Sequence, residues 1–258
     1  MSNIISAIIN LVENPKIELI RKGSSHNRAN NMGEALEEYI KDLFANTVDV
    51  EDEQIRNVAI STTFSYLGNQ NNPPDSMLHG GDAIEVKKIE SKNSALALNS
   101  SYPKAKLFAD SPMIKKECRE CETWTVKDMI YAVGVVNGNN LESLAFVYGE
   151  DYCADKEIYE KIFSDPLNMA EINLSKGKWK IKNPFEVFNY LYNETKNGFD
   201  FMCIINTNKF NTFENTQKLY ELKNINKRLN IQDVHIKNPN NPNQLREAKL
   251  ITYSKEVA

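Results

Sequence analysis

Cysteine is scarce in this chain, and so are the structures that cysteine builds. Four cysteines in 258 residues make no disulfide framework, and only Cys118 and Cys121 stand at the CxxC spacing of half a zinc site. Cys153 and Cys203 are isolated, and the three histidines (His26, His79 and His235) are scattered. Ordinary reduced thiols are therefore expected rather than a four-ligand zinc centre. Long apolar runs are missing too. No segment approaches the ~20 apolar residues needed to cross a bilayer. The opening SNIISAIINLVENPK has neither the basic start nor the long apolar stretch of a secretory leader. No membrane partner is expected, and a reducing, cytoplasmic setting is.

A strong net charge is also absent. The formal value of −4 points to no polyanion by itself, but the charges are unevenly spread. The first sixty residues hold ten acids against six bases, and the last fifty-eight hold five against nine. The run Ser175 to Lys182 contains four lysines and Trp179 with no acid. It reads either as the solvated face of an edge strand or as a nucleic-acid contact.

What remains is an ordinary core-forming composition, 41% hydrophobic, patterned as alternating helices and strands. Ile4, Ile5, Ile8, Ile9 and Val12 mark a short amphipathic helix ending near Pro15. After the polar loop GSSHNRANN, Met32 to Phe44 forms a second helix, with Glu37 on the shoulder of its apolar face. Residues 57–67 are expected to be a strand, and Ser91 to Cys121 shows little periodicity. Met129 to Val136 and Ser143 to Tyr148 form a β-hairpin of near-continuous apolar strands, the pattern of a sheet centre covered on both faces. Helices are expected over 156–163, 185–193 and 216–229, with strands over 199–205 and 249–253 and a loop over 238–243. These elements predict one α/β domain over residues 1–258.

The most informative stretch is PPDSMLHGGDAIEVK, residues 73–87. Pro74 favours an extended start for a strand at Asp75, the two glycines allow a turn, and Ala83 to Lys87 runs back. Strand periodicity sets Glu85 and Lys87 on one face, with Ile84 and Val86 towards the core. The antiparallel return brings Asp75 opposite Glu85, while Asp82 belongs to the turn. Two converging carboxylates repel each other, and a hard divalent cation with oxygen ligands resolves the conflict, which suits Mg²⁺. With a lysine beside it, such a pair is equipped to hydrolyse a phosphodiester. The plainer alternative is a turn-capping Asp75 and a surface ion pair between Glu85 and Lys87.

Pro74-Asp75 followed by Glu85-Val86-Lys87 resembles the PD-(D/E)xK nuclease signature. The resemblance implies a core of mixed central β-sheet flanked by helices. It also implies a metal held by Asp75, Glu85 and the Val86 carbonyl, with Lys87 as the active-site lysine. Many members place a further glutamate on the preceding helix, and Glu37 is the matching position. More narrowly, PPDSMLHGGDAIEVKKIES, with LALNSSYPKAKL and KDMIYAVGVV after it, looks like the NgoPII-like type II restriction endonucleases, over about residues 30–165. That likeness implies a bacterial restriction enzyme cutting duplex DNA at a short palindrome, with GGCC as the family's expected target. A palindrome read by one copy per half-site implies a homodimer.

The polar segment after the second hairpin strand is where base contacts are expected. Lys92, Asn93, Asn99, Ser100, Ser101, Tyr102 and Lys104 carry the donors that suit base edges and phosphates. The Arg21 to Arg28 loop and the lysines of 176–182 are phosphate candidates. Two other functions stay open at this point, a structure-selective repair nuclease and a non-catalytic DNA-binding protein on the same scaffold.

Overall fold

The computed structural model describes residues 1–19, 28–69, 72–99, 102–164, 178–193, 195 and 198–256. The helices are α1 (Ile4–Glu13), α2 (Arg28–Ala45), α3 (Glu53–Thr63), α4 (Lys116–Glu120), α5 (Gly149–Tyr152), α6 (Lys156–Ser164), α7 (Pro184–Val187), α8 (Thr207–Phe210) and α9 (Thr216–Ile225). The strands begin with β1 (Phe64–Asn69), β2 (Asn72–Leu78), β3 (Ala83–Ile89), β4 (Leu96–Asn99) and β5 (Lys106–Phe108). They continue with β6 (Val126–Asn137), β7 (Asn140–Tyr148), β8 (Lys178–Ile181), β9 (Gly198–Asn206), β10 (Leu229–Asn238) and β11 (Asn241–Glu256).

Nine of the strands form one mixed sheet in the order β1-β2-β3-β6-β7-β9-β11-β10, with β5 paired to β6. The pairs β3–β6 and β7–β9 are parallel and the rest antiparallel. Strands alternate their side chains between two faces, and each face has its own apolar layer. On one, Ile84, Val86, Ile130, Phe146 and Phe201 pack with Leu36, Ile40 and Leu43 of α2 and the apolar residues of α1. On the other, Ala83, Ile89, Tyr131, Val133 and Met202 pack beneath Leu96 and Leu98 of β4 and Phe185 of α7. β4 and β8 form a separate two-stranded ribbon.

The expected strand over 57–67 is instead the end of α3 followed by β1. The β-branched residues Val58, Ile60, Thr62 and Thr63 imitate a strand, but two polar contacts decide for helix. Asp52 accepts from the amides of Gln54 (2.8 Å) and Ile55 (3.2 Å) as an N-cap. Buried Arg56 then ties the helix to Asp42 (2.7 Å) and Glu38 (2.5 Å) on α2. Further along, the loop over 238–243 is a tight hairpin turn. Asn238 Oδ1 accepts from Asn240 N there (2.9 Å), joining β10 to a β11 far longer than 249–253. The helix expected over 216–229 stops at Ile225, because Leu229 already pairs with Tyr253. The one over 185–193 is only the four residues of α7, started by Asn183 accepting from Glu186 N. Ser91 to Cys121, which showed little periodicity, holds β4, β5 and α4.

Candidate active site

The β2–β3 hairpin is paired only near its turn. Ser76 faces Ile84 and Met77 faces Ala83, and the backbone ladder stops there. The next pair along that register is Asp75 and Glu85. In place of a ladder bond, Asp75 Oδ2 accepts from Val86 N at 2.6 Å. The two strands part, and a carboxylate occupies the split. The Pro73–Pro74 peptide just before it is cis.

Lys87 Nζ lies 2.5 Å from Glu85 Oε1 and 3.8 Å from Asp75 Oδ2. The three side chains thus converge where the sequence places them, with Ile84 and Val86 on the opposite, apolar face. The charges are out of balance. Burial first, and the Glu85 charge second, push the Asp75 carboxyl up to about 8. Burial acts to lower the Lys87 pKa, but Glu85 and Asp75 overcome it and the net shift is upward. Lys87 therefore remains an ammonium. Glu85 Oε2 is buried with no hydrogen-bond partner among the described residues. Such an atom costs free energy unless something else meets it.

Glu37 on α2 faces the same centre. Burial raises its carboxyl pKa, and the charges of Lys41, Lys87 and Glu85 all act on it. It does not complete a metal cage, since no group of three or more His, Cys, Asp or Glu side chains stands at metal-holding spacing among the described residues. Cys118 and Cys121 form no disulfide, and Cys118 is buried.

The residues nominated for DNA meet varied fates. Lys92 Nζ reaches Asp200 Oδ2 at 3.3 Å and lies 5.6 Å from the centre of the Phe185 ring, tethered rather than extended. Asn93 is exposed in the turn after β3. Asn99 ends β4 opposite Lys178, while Ser100 and Ser101 lie outside the described residues. Tyr102 stacks on Tyr159, with ring centres 5.0 Å apart, and meets Trp179 edge-on at 6.4 Å. Lys104 Nζ sits 4.8 Å from the centre of the Tyr102 ring. Of the lysine run, β8 presents an exposed Lys180, and Lys182 pairs with Glu186 at 3.2 Å. Lys176, and Arg21 through residue 27, lie outside the described residues.

Sequence reading missed the groups that brace the hairpin. Tyr148 donates to Asp82 Oδ2 at 2.6 Å, and Lys209 bridges Asp82 (3.3 Å) and Asp128. Lys127 is buried, donating to the carbonyls of Leu78 (3.2 Å) and Gly81 (2.6 Å) and pairing with Glu122. Apart from Glu122, five residues before Lys127, these partners are separated by tens of residues, and no local pattern announces them. Lysine inside an apolar strand, as in Lys127-Asp128-Met129, was the available signal.

No solved structure matches this chain. The family model for NgoPII restriction endonuclease matches residues 2–165 and 163–237. The type II restriction enzyme NgoPII of Neisseria gonorrhoeae is 50% identical, over 97% of this chain and 99% of that protein. A resemblance first visible in one hairpin thus extends over nearly the whole length. The chain belongs to the NgoPII restriction endonuclease family and is a type II restriction endonuclease.

Proposed function

We propose that the split β2–β3 hairpin is the cutting centre, a PD-(D/E)xK site in which Asp75, Glu85 and the Val86 carbonyl hold Mg²⁺. The observation that carries this reading is Glu85 Oε2, buried and unpartnered, beside an Asp75 whose carboxyl is pushed up to about 8. Two carboxylates and a carbonyl are hard oxygen donors, and Mg²⁺ keeps several waters in such sites, so the residues present fit the ion. Bound there, the ion would supply Lewis acidity to a water and to the phosphate oxygens.

The chain's own groups do the rest. Lys87, held as an ammonium, donates to the attacking water or to the negative charge that builds on phosphorus, and it cannot serve as a base. Asp75 and Glu85 fix the lysine between them. Glu37 adds negative charge to the same side, where it can receive a proton. The substrate is duplex DNA cut at a short palindrome, with GGCC as the target the family likeness implies, and two copies of the chain act as a dimer. Lys92, Asn93, Asn99, Ser100, Ser101, Tyr102 and Lys104 form the DNA-contacting segment beside the centre.

The test is digestion of a plasmid of known sequence with MgCl₂, beside Glu85→Ala, with the ends mapped. Discrete fragments ending at GGCC, absent with the variant, are expected. Discrete ends elsewhere would discard the target and keep the chemistry. A smear would favour a structure-selective nuclease, and tight binding without nicking a silent DNA-binding protein.

A further inference from the structure

Three lysines line a cleft of about 720 Å³ between the Tyr102 to Met113 segment, α6 and β8. Two of them are neutralised by carboxylates. Lys106 pairs with Asp128 (2.6 Å) and Glu150 (3.6 Å), and Lys156 pairs with Glu160 (3.2 Å). Lys104 has no carboxylate partner among the described residues, and only the face of Tyr102 meets its ammonium.

Its backbone is nonetheless held from two sides. Tyr131 Oη accepts from Lys104 N at 2.7 Å and donates to Lys104 O at 3.2 Å. Gly149 closes the other side, where an added Cβ would lie 2.5 Å from Lys104 O and 2.6 Å from Ala105 O. Tyr131 is no arbitrary anchor, because it is the residue of β6 directly paired with Glu85 of β3. The clamp therefore sets Lys104 over the sheet face that carries Glu85 and Lys87. The Glu85 charge is felt at the Lys104 ammonium, whose pKa is lowered by burial first. A half-buried cation, fixed at its backbone and paired with no carboxylate among the described residues, is poised for an anion that arrives from outside.

We propose that Lys104 is a second active-site lysine, whose ammonium meets a non-bridging oxygen of the phosphodiester being cut, across the site from Lys87. The proposal rests on the assignment of Asp75, Glu85 and Lys87 as the cutting centre. It gives Lys104 a role in the reaction beyond general attraction for DNA. Tyr131 is then a positioning residue, acting through the Lys104 backbone.

The test compares wild type, Lys104→Met, Lys104→Arg and Glu85→Ala on a duplex carrying one mapped cut site. Single-turnover cleavage should fall about 100-fold in Lys104→Met and recover largely in Lys104→Arg, with unfolding temperatures unchanged. The second readout is metal-free binding of duplexes with either the natural linkage or an uncharged methylphosphonate at the cut position. Removing that one charge should weaken wild-type binding several-fold and leave Lys104→Met binding unaltered. Wild-type cleavage by Lys104→Met, an equal methylphosphonate penalty in both proteins, or equal loss of activity and unfolding temperature in both Lys104 variants would each overturn the proposal. Cutting by Glu85→Ala would instead overturn the assignment of the centre. A dead Glu85→Ala beside an unimpaired Lys104→Met would overturn the Lys104 proposal alone.

Discussion

Two ionic clusters sit on the same hairpin of this enzyme, centred on Asp82 and Glu85 three residues apart, and they are opposites. In the turn just before β3, Asp82 is fully matched, with Tyr148 on one oxygen and Lys209 on the other. Lys209 continues to Asp128, which also receives Lys106, and the Tyr148 ring lies 4.5 Å beneath the Lys209 ammonium. Burial works to raise the Asp128 carboxyl pKa, but the bonds from Lys106 and Lys209 prevail and lower it. At Glu85 the sums do not close. Asp75 and Glu85 share one lysine, Asp75 is pushed up, and Glu85 Oε2 has no hydrogen-bond partner among the described residues. The first cluster is what charges look like when they hold a fold. The second is the unbalanced arrangement that marks a candidate functional site.

Three substitutions test that contrast, and a fourth tests an acid outside it. Asp75→Asn should reduce cleavage at least ~1,000-fold, the scale on which an essential charged group acts, while unfolding in urea stays near wild type. Equal activity loss in Asp82→Asn would mean that the wrong aspartate has been given the role. Lys209→Met should show the reverse pattern. Leaving Asp82 and Asp128 without their shared cation should cost about 2 kcal/mol of unfolding free energy, less than a fully buried pair because Lys209 is 19% exposed. The cutting rate of the folded fraction should change little, and a loss of rate without a loss of stability would erase the distinction between the clusters.

The fourth substitution concerns an acid that belongs to neither cluster. Asp151 accepts from Asn206 N through Oδ2 at 2.9 Å, while buried Oδ1 has no partner among the described residues. Burial raises its carboxyl to about 7, above the ~3.9 of an unfolded chain. The folded protein thus holds this proton longer than the unfolded one, so stability falls as pH climbs from about 4 to about 7 and is flat above. Asp151→Asn should flatten that slope, by at most on the order of 4 kcal/mol. Urea midpoints at pH 5 and pH 8 measure it, and an unchanged difference would show that Asp151 is not its source.

The geometry of the candidate site was more legible than the sheet that carries it. Asp75, Glu85 and Lys87 lie within one hairpin, so turn length and strand alternation suffice to bring them together. The β6–β7 hairpin was readable for the same reason, with apolar residues on both faces and Asn137 to Asn140 between them. α3 was misread because its helix is decided by Arg56 reaching back to α2, which local β-propensity does not record. β10 alternates only loosely, with Asp233 and His235 breaking its apolar face, and its identity comes from its partner β11. The clamp on Lys104 depends on the β3–β6 register, a pairing across forty-six residues. No pattern within a single segment encodes it.

The short ladder between β2 and β3 has one more consequence. Because side chains alternate along a strand, a slip of one residue would send Glu85 and Lys87 into the apolar layer under α2 and turn Ile84 and Val86 towards the face that Glu85 and Lys87 now occupy. There is no partly correct arrangement that retains the chemistry. For a DNA-cutting enzyme, this ties the candidate centre to correct assembly of the sheet. A chain that has not yet found its register cannot bring Asp75, Glu85 and Lys87 together.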